Sequence, residues 1–218
     1  MTLTAADLAA VTAQLHRVPR GARGVAHRCP CGLPDVIETA PRLPDGTPFP
    51  TLYYLTCVRA CAAVSRLEAG GVMRAMTDRL AADSGLRAAY RAAHGDYAAR
   101  RDAVAADAGV EPLPADAATA GGMPDRVKCL HALVAHELAV PGANPLGREA
   151  ILAMGSWWSP GPCVDGPDTD SSRAGTPGAD TPRAAPRADT PRAGTPGAGT
   201  PARPRADPTR RRRADDAA

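Results

Sequence analysis

Lysine is almost missing from this 218-residue chain: Lys128 is the only one, although arginine, alanine, proline and glycine are abundant. That bias is expected of a GC-rich genome and assigns no role by itself. The net charge of +3 is too balanced to make nucleic acid the expected partner, and no basic stripe with interleaved aromatic residues is present. Long apolar runs are lacking too, so no membrane span is expected. The first residues, MTLTAADLAAVTAQLHRVPR, have no leading basic region and carry Asp7 inside their apolar part, which does not read as a signal peptide. These absences together read as a cytoplasmic protein. In a reducing compartment its six cysteines become thiols, metal ligands or a redox pair, not three disulfides.

Aromatic residues stop at Trp157 and Trp158, and from Ser159 onward the only aliphatic side chain larger than alanine is Val164. This stretch repeats a loose TPRA/TPGA unit and ends near Arg210 to Arg213, so it can bury too little apolar area to offset ordering entropy. The expected division is a single globular domain over 1–158 and a disordered Pro/Ala/Thr/Arg-rich tail over 159–218.

Within the domain, Thr4 and Asp7 have the spacing of a capping box, opening a helix to about His16. DVIETA and PTLYYLTC read as two strands joined by a turn-rich segment containing Pro44-Asp45-Gly46. Helices are predicted at 59–69, 72–82 and 85–105, broken at Gly70-Gly71 and Ser84-Gly85, and a last one starts at Pro145. The fold class is therefore α+β and mostly helical, a short β-hairpin packed on a helical bundle.

The hairpin bears on the thiols. Cys29 and Cys31 precede its first strand and Cys57 follows its second, so antiparallel pairing collects all three at the open end. A structural zinc site wants a fourth ligand. The stretch GGMPDRVKCLHALVAH offers one, if Pro124 opens a helix with Val127, Leu130, Val134 and Leu138 as its apolar stripe and His131 within that arc. Cys129 and His136 share another face, but seven residues of rise separate them by roughly 10 Å. Cys129 and His131 would point about 160° apart at ~100° per residue. Such a helix supplies one ligand, and Cys129 near its N-terminus is the choice. The expected metal set is Cys29, Cys31, Cys57 and Cys129, holding zinc or, alternatively, an iron–sulfur cluster, in a binding or scaffold module. Inert thiols, or a thiol redox pair of Cys29 and Cys31, remain open. Cys61 reads as a core thiol and Cys163 as a free thiol of the tail.

A second reading places a phosphorylated ligand, such as phosphate, polyphosphate or a nucleotide, where Gly121-Gly122 leads into a helix, with Arg126 and Lys128 as cofactor-binding cations. The chain would then be an enzyme or sensor. A Cys129 nucleophile activated by His131 or His136 is disfavoured on a regular helix, where neither imidazole is suitably placed.

At RCPCGLPDVIETAPRLPDGTPFPTLYYLTC, AGGMPDRVKCLHALVAH and NPLG, the sequence resembles domain-of-unknown-function family 501, small bacterial proteins found especially in actinobacteria. The resemblance spans about 17–155. It implies no activity; its members are often encoded beside a septum-formation initiator and an exopolyphosphatase, which points to cell division or phosphate metabolism. The family pattern LTCP departs here to Val58 after Cys57, and Cys61 lies outside it.

Overall fold

In the computed structural model, residues 1–114 and 119–164 are described; the predicted tail beyond 164 lies outside them. The element order is α1 (Ala5–Leu15), β1 (Ala22–Arg28), β2 (Pro34–Thr39), β3 (Tyr53–Leu55), α2 (Val58–Ala69), α3 (Val72–Ala82), α4 (Ser84–Asp107), a 3-10 turn (Ala120–Gly122), α5 (Leu130–Ala139) and α6 (Pro145–Met154). The fold is α+β and mostly helical, as the sequence predicts.

Helix α1 starts where its capping box dictates. Asp7 N–H donates to Thr4 Oγ1 and Thr4 N–H to Asp7 Oδ2, both at 3.1 Å. The predicted hairpin is the antiparallel β2–β3 pair, with Val36 opposite Leu55 and Glu38 opposite Tyr53. Its Pro-Asp-Gly segment turns through Gly46 N–H to Leu43 O and Thr47 N–H to Asp45 Oδ1. A third strand, β1, pairs with the other edge of β2, giving the order β1-β2-β3. Its sequence, ARGVAHR, lacks clean alternation and carries a glycine and irregular register, which is why the pattern hides it.

The sheet and helices meet on α5. Leu130, Leu133, Val134, Ala135, His136 and Glu137 are all buried, against β3 on one side and α6 on the other. Such all-round burial requires polar members to be matched. Glu137 accepts from the N–H groups of Gly142 and Asn144 at 2.8 Å each, fixing the α5–α6 turn. His136 lies between Tyr53, stacked at 6.0 Å, and Tyr97, edge-on at 5.1 Å, with Nε2 3.1 Å from Asp96 Oδ2. Burial holds its pKa below the ordinary histidine value.

The NPLG segment now has a physical account. Asn144 caps α6 by accepting from Gly147 N–H at 2.9 Å, Pro145 occupies the first turn, and Gly147 lets α5 and α6 touch. A Cβ there would sit 2.2 Å from the Leu133 carbonyl oxygen.

Contacts continue past the expected boundary at 158. Arg59 Nη1 donates to Gly161 O at 2.9 Å, and Gln14 Nε2 donates to Cys163 Sγ at 3.2 Å. Cys163 is thus held against the body of the protein.

Candidate metal centre

The expected helix from Pro124 is not what forms. Gly121 and Gly122 have φ of 79° and 91°, and the chain folds back so that Lys128 N–H donates to Gly121 O at 2.7 Å. Helix α5 begins only at Leu130, and Cys129 is its N-cap in extended conformation (φ −153°, ψ 112°). This corrects the angular argument against Cys129 and His131 acting together. A residue outside the helix does not follow 100° per residue, so the Cys129 thiol turns over the first turn of α5 to 3.9 Å from His131 Nδ1.

Helix α2 completes the site. Glu68 lies in its last turn, and its Oε1 accepts from Leu130 N–H at 2.7 Å while lying 3.2 Å from His131 Nδ1. One ligand atom each from Glu68, Cys129 and His131 lies within 4.8 Å of the other two, and all three residues are half-buried. Ser65 Oγ, one turn earlier on α2, is 3.4 Å from His131 Nε2. The His131 imidazole beside it holds the Cys129 thiol below its usual pKa, against the opposing effect of burial. The same hydrogen bond, helped by Glu68, raises His131.

The geometry differs from that of a nucleophile–base–acid relay. A relay uses the two imidazole nitrogens separately, one toward the nucleophile and one toward the orienting carboxylate. Here the same Nδ1 faces both Cys129 Sγ and Glu68 Oε1. Three donors converging on one point suit a cation.

The four predicted ligands are not brought together as one group. Cys29 and Cys31 contact each other at the β1–β2 turn, where burial first of all pushes Cys29 up to about 11. Cys57 is the buried N-cap of α2, at the end of the helix where Arg59 holds Gly161 and with it the segment bearing Cys163. Cys129 stands with His131 and Glu68. Antiparallel pairing places Cys57 beyond β3 as expected, but α2 starts at once and carries its thiol toward the 159–164 segment. Cys61 is pushed up to about 11 by burial and by the nearby Cys129 and Cys163.

Arg126 and Lys128 lie in the turn before α5, not on it. They line a groove of about 330 Å³ with Thr119, Gly121, Gly122 and Asp125. The α5 N-terminus itself is taken by the Glu68 carboxylate, so the anion position predicted at that helix end is filled by the protein's own acid.

Glu68 escaped the sequence reading. It carries no motif, yet on the helix it sits seven residues after Cys61, close to two whole turns, which is the signal that pairs it with the Cys61 face of α2.

The sequence model of the family described as "Protein of unknown function (DUF501)" matches residues 25–152. The chain belongs to this family. The DUF501 match contains Glu68, Cys129 and His131 as well as Cys29, Cys31 and Cys57, and ends before Cys163. No curated protein and no solved structure matches the chain. No helix among the described residues is long and apolar enough to cross a membrane.

Proposed function

We propose that this DUF501 protein is a metal-binding protein whose ion, zinc by the chemistry of its donors, is held by Glu68, Cys129 and His131 in a reducing, cytoplasmic setting. Thiolate, imidazole and carboxylate together are a borderline-soft set, the kind zinc takes. Three protein ligands leave a fourth position for water or a ligand, the arrangement of zinc sites that bind or activate small molecules; a purely structural site has four. Half-burial of all three keeps that position reachable. An iron–sulfur cluster asks for more thiolates than this group offers. The observation that carries the reading is the convergence of Sγ, Nδ1 and Oε1 from helices 62 positions apart in sequence at the Leu130–Glu68 contact.

Zinc analysis of protein purified without a metal-binding tag tests it. One equivalent is expected in the wild type and in Cys29→Ser. Cys129→Ser should lower affinity by about 100-fold or more, because one ligand of three is lost. Full metal content in Cys129→Ser, or its loss in Cys29→Ser, would instead return the site to the sheet end.

The groove lined by Thr119, Arg126 and Lys128 favours a second reading, a phosphorylated ligand bound by the two cations. Phosphate or polyphosphate should raise the wild-type melting temperature and leave Lys128→Ala unmoved. Equal shifts in both proteins, or none, would remove it.

A further inference from the structure

Helix α2 carries a second thiol site at its opposite end. Cys57 is fully buried at the N-cap and makes no side-chain cap bond, and Cys163 packs against the same core cluster. The segment bearing Cys163 is pinned from two directions. Arg59, in the first turn of α2, holds Gly161 O, and Gln14 of α1 donates one amide group to both Cys163 Sγ and Pro34 O. Cys163 itself is half-buried, so one member of the pair is open to solvent and the other is not. Thiols 106 positions apart in sequence are therefore held at the same end of α2 by contacts that do not involve Glu68, Cys129 or His131.

We propose that Cys163 and Cys57 are a reversible redox couple, Cys163 being the thiol attacked first by a hydroperoxide and Cys57 the thiol that resolves it into a disulfide. The Cys163 thiolate attacks the distal oxygen of the peroxide and the O–O bond breaks. A sulfenic acid forms on Cys163, and the leaving oxygen takes a proton to become water or an alcohol. Cys57 sulfur then attacks Cys163 sulfur, the S–O bond breaks, and the hydroxide released takes the Cys57 proton to leave water. Two thiols are oxidised and one peroxide is reduced. An external dithiol reverses the bond by exchange.

The electrostatics agree with this division of roles. Hydrogen bonds from Cys57 and then Gln14 hold Cys163 down at about 6, against burial, while the same pairing and burial push Cys57 up. Thiolate character and exposure coincide on Cys163, as sensitivity to oxidants requires. Closing a loop of roughly 100 residues would also tie the start of the 159–218 segment to α2.

The test uses the full chain, reduced and then treated with hydrogen peroxide, followed by alkylation, digestion and mass mapping. A Cys57–Cys163 cross-link is expected, with two free thiols lost, both restored by dithiothreitol, and a melting temperature raised by several degrees in the oxidised form. Cys163→Ser should lose no thiol pair. In Cys57→Ser the sulfenic acid should persist and be captured by dimedone. Free alkylation of both thiols after peroxide would overturn the proposal, and so would a cross-link from Cys163 to Cys29 or Cys31. Protection of both thiols by a metal released in Cys163→Ser would make them ligands and overturn it as well. Cobalt binding at Glu68, Cys129 and His131 should be the same before and after oxidation, so the two proposals fail separately.

Discussion

Asp7 shows how one side chain serves two structures. It closes the α1 capping box and also accepts from both terminal amino groups of the Arg28 guanidinium, Nη1 at 2.7 Å and Nη2 at 2.9 Å, tying α1 to the end of β1. The Arg28 hydrogen bonds are the main cause that lowers the Asp7 carboxyl from 3.8 to about 2. A depressed carboxyl stabilises the fold above its unfolded pKa and loses that contribution as pH falls toward the folded value. With Arg28 about one third exposed, the contribution is discounted to roughly 1–2 kcal/mol. Denaturation of wild type and Asp7→Asn should therefore differ by about that amount near neutral pH, and the gap should close between about pH 4 and 2. A gap constant across that range would show that the ion pair contributes nothing.

Histidine and cysteine separate the two ends of α5 in the same way. Cys129 as an N-cap thiol and His131 in the first turn face Glu68, while His136 is enclosed by Tyr53, Tyr97 and Asp96. Substituting Cys61 by serine should cost about 1–3 kcal/mol as a polar change in a mostly buried position and leave metal content intact. Loss of metal in Cys61→Ser would place that thiol in the ligand set.

At the scale of elements, Gly147 makes the sharpest demand. Its Cβ position lies 2.2 Å from a backbone oxygen and 2.9 Å from a backbone carbon of Leu133, neither of which can rotate away. Gly147→Ala should lower unfolding free energy by about 3 kcal/mol in urea titration, as forced separation of packed helices does. A change under about 0.5 kcal/mol would mean that α5 and α6 slide freely.

The helices other than α5 were legible because each has its own punctuation: the Thr4 cap, Gly70-Gly71, Ser84-Gly85 beside the Asp83 cap that the structure adds, and Pro145. The β2–β3 pair was legible from its turn. Strand β1 was not, since a glycine and register irregularities erase its alternation. The start of α5 was misread because proline suits a first helical turn, whereas here Gly121 captures Lys128 and delays the helix to Leu130. That delay of six residues decides whether Cys129 and His131 diverge or meet. At the delayed start Glu68 accepts from the Leu130 N–H, a tertiary contact that local pattern does not contain.

For the molecule as a whole, the sheet end and the α2–α5 contact divide five of the six thiols into three neighbourhoods, Cys29 with Cys31, Cys57 with Cys163, and Cys129 with His131 and Glu68, while Cys61 lies near both Cys129 and Cys163. The 159–164 segment belongs to the second of these. A chain ended after Val164 should melt with the full-length protein, because the later residues have almost no apolar area. A chain ended after Trp158 loses the Arg59 and Gln14 contacts and should melt several degrees lower. Equal melting of the two shortened chains would show that the segment does not hold.

Cobalt(II) titration of the reduced, metal-free protein reads directly whether a single metal sits where Glu68, Cys129 and His131 meet. One equivalent should bind with tetrahedral visible bands and the charge-transfer intensity of one thiolate, abolished in Cys129→Ser and in His131→Ala. Intensity from several thiolates that survives Cys129→Ser and vanishes in Cys29→Ser would contradict it, as would the absence of any cobalt spectrum.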